Sequence, residues 1–203
     1  MRLPYLGLAL LMGAACTQKT TAPATEGTAA PATEEKMAAS DETAAVEMTP
    51  PAREDDAERK SKNGKLEAEV SGVDLIVTYG RPKVNGREIF GELIPYGEVW
   101  RTGADEATTI SFAKAVMFEG KHVEPGTYAL FTIPGEKEWK VILNEQAKQW
   151  GAYKRDPAKD LVTVTVKPEA SEETTEELTF SAEDDGIVIA WADVKVPVTI
   201  EGH

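Results

Sequence analysis

The stretch VWRTGADEATTI, from Val99 to Ile110, sets Arg101, Asp105 and Glu106 beside Trp100. An aromatic face with a guanidinium and a carboxylate suits a polar ring or a carboxylated ligand, because the ring stacks while the charged groups hydrogen-bond. With the neighbouring aromatic and cationic residues, the candidate ligand-binding set is Tyr79, Arg81, Tyr96, Trp100, Arg101 and Asp105. The same stretch also suits an ordered corner. In that case Trp100 anchors the connection, Arg101 pairs with Asp105 or Glu106, and Thr102 or Asp105 caps the local turn. Paired carboxylates raise glycoside hydrolysis, with Glu88, Glu92 and Glu98 close by in sequence. That chemistry needs two carboxyl groups at a set separation across a cleft. Adjacent residues on an extended segment point to opposite sides, so Asp105 and Glu106 alone do not make the pair. No catalytic residue is assigned.

Other chemistries find less support. The chain has two His, His122 and His203, and its single Cys is Cys16. A zinc centre of the usual kind needs several nitrogen or sulfur ligands together, so no metal site and no cofactor is expected. The run Glu183-Asp184-Asp185 lacks the alternating ligands of an EF-hand loop and reads as an acidic β-turn, with calcium binding left open. There is no nucleophile elbow of the GxSxG type, and His122 is the main base available to a Ser or Thr nucleophile. A Gly-rich phosphate loop and a βαβ rhythm are both missing, which argues against nucleotide folds. The net charge of −13 argues against nucleic acid as a partner and against adhesion to an anionic membrane through a basic patch.

The elements that must position these residues begin after a long polar lead. Met1-Arg2 precedes the apolar run LPYLGLALLMGAA, which ends on small residues at Cys16. The run is too short to span a bilayer and fits the hydrophobic region of an export signal. A lone Cys directly after such a run resembles the bacterial lipoprotein signal, although Gly13 stands where the usual motif has Leu. The resemblance implies a signal peptide over 1–15 and a lipidated Cys16 as the mature N-terminus. The protein would then be held at a bilayer in the bacterial cell envelope, facing away from the cytoplasm. Residues 16–65 are rich in Thr, Ala, Pro and Glu and contain no aromatic residue. They lack the apolar surface that offsets ordering entropy, and are expected to form a disordered tether.

From residue 66 to 203 the pattern is β. LEAEV and VDLIVTY flank a Ser71-Gly72 turn, TTISF alternates, and TYALFTI, EWKVILN and LVTVTVKP follow between Pro-Gly and other turn signals. EELTFSA, GIVIAWAD and VKVPVTIE complete the series, and only NEQAKQWG (Asn144 to Gly151) reads as a short helix. Short strands with frequent turns predict an all-β antiparallel sandwich or jelly roll. Trp150 and Tyr153 in QWGAY form a second aromatic group, expected to pack as a lid on one end of the sandwich.

TYGRP (Thr78 to Pro82), NGREIFGELIPYGEVWRTGADEATTI (Asn85 to Ile110), PGTYALFTIPGEKEWKVILN (Pro125 to Asn144) and QWGAY (Gln149 to Tyr153) together carry a likeness over about residues 66–201. In these motifs the chain resembles the bacterial family of domains of unknown function numbered 2911. That resemblance implies an exported β-rich domain, often on a lipoprotein, and no activity. Two classes of function remain. The favoured one is a non-catalytic binding or structural module for a sugar-like or carboxylated ligand, or for an envelope partner. The other is a hydrolase that acts on envelope polysaccharide or peptidoglycan through paired carboxylates.

Overall fold

Residues 48–203 are described by a computed structural model of the protein. The expected signal peptide, Cys16 and the expected linker as far as residue 47 lie outside the described residues. The expected alternation appears directly as strands: β1 (Lys62–Val70), β2 (Val73–Arg81), β3 (Thr108–Phe112), β4 (Val116–Phe118) and β5 (Lys121–Val123). After them come β6 (Gly126–Ile133), β7 (Trp139–Asn144), β8 (Asp160–Val166), β9 (Glu169–Glu183) and β10 (Gly186–Gly202). All pairings between them are antiparallel, in a six-stranded sheet ordered β1-β2-β3-β6-β7-β8 and a four-stranded sheet ordered β5-β4-β10-β9. The two sheets form a sandwich-like arrangement, as the all-β expectation requires.

Turn chemistry sets the register. Ser71 and Gly72 both take positive φ, 49° and 77°, so β1 and β2 meet through a tight two-residue turn with Val70 opposite Val73. Glu119 and Gly120 repeat the device between β4 and β5, at φ 48° and 71°. Positive φ at both central residues gives such turns a twist that matches the flanking strands. With register fixed, the odd-numbered residues Val73, Leu75, Val77 and Tyr79 of β2 face one core, joined by Ile110 and Phe112 of β3 and by Leu178, Phe180, Ile189 and Trp191 of the second sheet. A smaller cluster of Ala107, Ala129, Phe131 and Ile142 lies apart from it. Strand β3 is therefore buried along its whole length.

Three expectations need correction. GIVIAWAD and VKVPVTIE are one strand, β10, whose register against β9 shifts on either side of Ala192. Ala192 sits at φ 54°, and such a bulge bends a strand and re-aims its side chains. NEQAKQWG forms no helix. The buried Asn144 side chain accepts from the backbone N–H of Gln146 at 3.0 Å and from the Gln149 amide at 3.1 Å. Local side-chain bonds of this sort compete with the helical ladder. Among the described residues the helical structure is one 3-10 turn at Pro157–Lys159.

The ordered chain also starts before Leu66. β1 begins at Lys62, and residues 51–61 dock on the rest of the fold although they have almost no apolar surface. Polar contacts hold them. The Arg53 guanidinium donates to the carbonyls of Ala104 (2.9 Å), Ala107 (3.2 Å) and Glu106 (3.3 Å), and its Nε donates to Asn63 Oδ1 (2.8 Å). The tether expected as far as residue 65 therefore gives way earlier to ordered chain, because hydrogen bonds and ion pairs hold residues 51–61 where apolar burial does not.

Candidate functional site

The connection between β2 and β3 carries the candidate residues and bends sharply. Thr102 and Asp105 have φ of 53° and 63°, values that cost a β-branched residue most. Packing enforces the bend. Trp100 is 4% exposed, and its backbone exchanges hydrogen bonds with Thr132 of β6 at 2.8 and 2.9 Å. Its indole Nε1 donates to Gly103 O at 3.1 Å. Thr108 Oγ1 donates to Thr102 O at 2.8 Å, which ties the connection back to β3. Gly80 of β2 allows the close approach: a Cβ there would stand 2.4 Å from Ala104 O.

Trp100 is thus the anchor of a corner, and it belongs to an aromatic group. Its ring stacks on Trp191 with centroids 5.6 Å apart at 20°, and Phe90 meets Trp100, Trp139 and Trp191 edge-on. Trp191 precedes the β10 bulge and is 2% exposed. Unlike Trp100, its indole N–H has no partner among the described residues.

The charges beside Trp100 pair differently from the expectation. The arm, not Arg101, supplies the guanidinium groups. Arg59 Nη1 lies 2.7 Å from Glu106 Oε2 and 3.3 Å from Asp105 Oδ2, and Arg59 Nη2 also meets Glu106 Oε1. Arg53 Nη2 lies 3.1 Å from Glu106 Oε2. The bend at Asp105 brings both carboxylates to one guanidinium, where an extended segment would have sent them apart. Both arginine side chains are only 8% exposed. Burial is the largest influence on the Glu106 carboxyl and raises its pKa. The Arg59 hydrogen bond, the backbone N–H groups and the Arg53 charge outweigh it, and the net value falls to about 2. Burial lowers Arg53, while the bond to Glu106 raises Arg59. A carboxyl held that low is a poor proton donor at neutral pH, and a pair locked on one arginine is not arranged across a cleft.

Arg101 is left without a side-chain hydrogen bond or ion pair among the described residues. Its Nε is buried and makes no hydrogen bond, although Asp105 is four residues away. It lines a cavity of about 450 Å³ with Trp100, Trp191, Asp105, Lys60 and Lys83. Arg87 lines it too, donating to the Val84 carbonyl at 2.9 Å. Four cationic side chains and one carboxylate line a cavity in a chain that is strongly acidic overall.

Of the six residues expected in a site, the structure brings together Trp100, Arg101 and Asp105. Tyr79 is buried, its hydroxyl accepting from Phe180 N at 3.2 Å and its ring 4.6 Å from the Phe180 ring. Arg81 pairs with Glu177, which also lies 3.0 Å from Lys83 Nζ; these two cations hold the Glu177 carboxyl below its usual range. Tyr96 lines a different cavity, beside Phe90 and Asp193. Trp150 and Tyr153 are not a packed lid, since both rings are exposed. Glu183–Asp185 closes the β9–β10 hairpin, and His122 lies 3.0 Å from Glu124.

Trp191, Lys60 and Lys83 escaped the sequence reading. Trp191 looked like an ordinary core residue of an alternating strand, and nothing local marks its idle N–H. A match to the family described as "Protein of unknown function (DUF2911)" covers residues 61–200. The chain belongs to that family. No curated protein and no solved structure matches this DUF2911 chain. The match begins at residue 61, so Arg53 and Arg59 of the clasp stand outside it while Arg101, Asp105, Glu106 and Trp191 stand inside.

Proposed function

We propose that this DUF2911 protein is a non-catalytic binding module that takes a small anionic ligand, of the carboxylate class, in the cavity beside Trp100 and Arg101. Lipidated at Cys16, it presents this cavity outside the cytoplasm on the bacterial envelope. The observation that carries the reading is one cavity lined by both Arg101 and Trp191, two residues whose Nε and Nε1 donors are buried without an acceptor among the described residues. A buried N–H without an acceptor costs about 1–3 kcal/mol, which a ligand oxygen recovers on binding. Lys60 adds positive charge to the lining, while Lys83 is paired with Glu177. Arg101 stays free for a ligand because Arg53 and Arg59 have satisfied both nearby carboxylates.

A thermal-shift titration tests this with glucuronate and citrate against uncharged glucose, since a ligand that binds only the native state raises the melting temperature. The acids raise it in wild type and fail to in Arg101→Met. An equal response in both proteins, or none to either acid, sinks the reading. Metabolic labelling with a fatty-acid analogue tests the anchor separately: label enters wild type and is lost in Cys16→Ala.

A further inference from the structure

A second cavity, of about 410 Å³, is lined by Pro51–Glu54 of the arm and by the loop residues Ala147–Trp150. A short bridge fixes that loop beside Glu106. Ala107 N donates to Gln149 O and Gly151 N to Asp105 O, each at 3.0 Å. Trp150 is thereby held next to the cleft with 54% of its surface exposed. An aromatic ring kept in water by a fixed backbone offers a flat apolar face to a partner.

The polar groups of this cleft ask for a different ligand from that of the Arg101 cavity. The Gln149 amide nitrogen donates to Asn144 Oδ1 at 3.1 Å and to Gln146 O at 2.6 Å, which uses both of its hydrogens and sets its orientation. Gln149 Oε1 is then a buried acceptor with no donor. At the same cleft the Thr78 and Thr109 hydroxyls bond each other at 2.8 Å, leaving one hydroxyl hydrogen and further lone pairs unused. The charges lining the cleft balance, Arg53 and Lys148 against Glu54 and Glu106. A carboxylate group has no hydrogen for Gln149 Oε1 and finds no excess positive charge here. A neutral ring bearing hydroxyls supplies the missing donor and an apolar face for Trp150.

We propose that this cleft binds a neutral carbohydrate, one pyranose ring of which stacks on Trp150 and donates a hydroxyl to Gln149 Oε1. The site is separate from the anion cavity, and its ligand is uncharged and donates the hydrogen bond rather than accepting it. Linked through the shared Asp105–Glu106 segment, the two cavities equip one domain for two kinds of group.

The test is a titration of the full-length protein with cellotriose, maltotriose and tri-N-acetylchitotriose, followed by ligand-observed NMR and thermal shift. At least one trisaccharide binds saturably. Trp150→Ala weakens that binding about tenfold or more while the melting temperature stays near wild type, because the ring is exposed. Thr109→Val, which keeps shape and removes a hydroxyl, weakens it less. Arg101→Met binds the sugar as wild type does, which separates this site from the anion cavity. The proposal is overturned if no trisaccharide saturates, if Trp150→Ala binds as well as wild type, or if Arg101→Met loses the sugar in parallel.

Discussion

Replacing Glu106 by Gln should release the N-terminal arm and remove a pH dependence that the wild type shows. The carboxyl has an ordinary pKa of 4.5 and a folded value of about 2, a drop equivalent to at most roughly 3 kcal/mol and less once solvent screens the partly exposed pair. The sign follows from the direction. A depressed carboxyl stabilises the fold fully above pH 4.5, and this contribution is lost as the pH falls through about 2. Roughly half of it has gone by pH 3. Glu106→Gln lacks the term at every pH and leaves two nearly buried guanidinium groups without their main partner, a loss typically costing about 3–5 kcal/mol. The arm can undock without the sandwich unfolding, so two readouts are needed. Urea unfolding followed by Trp fluorescence at pH 7, 5 and 3 reads global stability. Trypsin cleavage after Arg53, Arg59 or Lys60 at pH 7 reads the arm. The variant should show faster arm cleavage, with a smaller loss of stability between pH 5 and pH 3. Wild-type cleavage rates together with a wild-type pH profile would refute the clasp.

Trp100→Ala should cost about 3–5 kcal/mol, because it empties a buried site against Trp191 and Phe90; urea denaturation measures it, and a variant as stable as wild type would overturn the corner. Arg101→Met should not lower the melting temperature, since the residue makes no described hydrogen bond and its buried Nε carries an unmet cost. Gly80→Ala should destabilise by more than about 1 kcal/mol, because the new Cβ meets the Ala104 carbonyl; a neutral result in calorimetry would mean that the connection yields easily.

The sandwich was legible because its information is local. Alternation in VDLIVTY and LVTVTVKP gives face, and Ser71-Gly72 and Glu119-Gly120 give turns, all within a few residues. The corner was legible in part for the same reason: Trp100 lies among Gly97, Gly103 and turn-forming residues. What could not be read was pairing across distance. Arg101 stands beside Asp105 and Glu106 in the chain, yet Arg53 and Arg59 from a Pro- and Glu-rich lead reach them in space. A bend of two positive-φ residues decides this; Asp105 is a type that tolerates such a φ, but the β-branched Thr102 is not one that announces it. Trp191 shows the same limit from the other side, since only a three-dimensional census of acceptors reveals that its N–H is idle.

The last strand has a consequence for the order in which the molecule can be assembled. In the four-stranded sheet β10 lies between β4 and β9, and β4 pairs with Ile200, Glu201 and Gly202, more than 80 residues later in the sequence than β4 itself. A polypeptide emerging N-terminus first can form the early hairpins while it grows. The β4–β5 hairpin has no sheet to join until Ile200 to Gly202 arrive. Contacts so distant in sequence make the second layer slow to close, and leave Ile110, Phe112 and Phe118 uncovered meanwhile. Trp191 travels on that same strand, so the wall of the Arg101 cavity is among the last parts to be put in place. Removal of Ile200 to Gly202 would therefore detach the β4–β5 hairpin from the second sheet, while β9 and β10 stay paired over Gly186–Lys195 and keep Trp191 in the cavity wall.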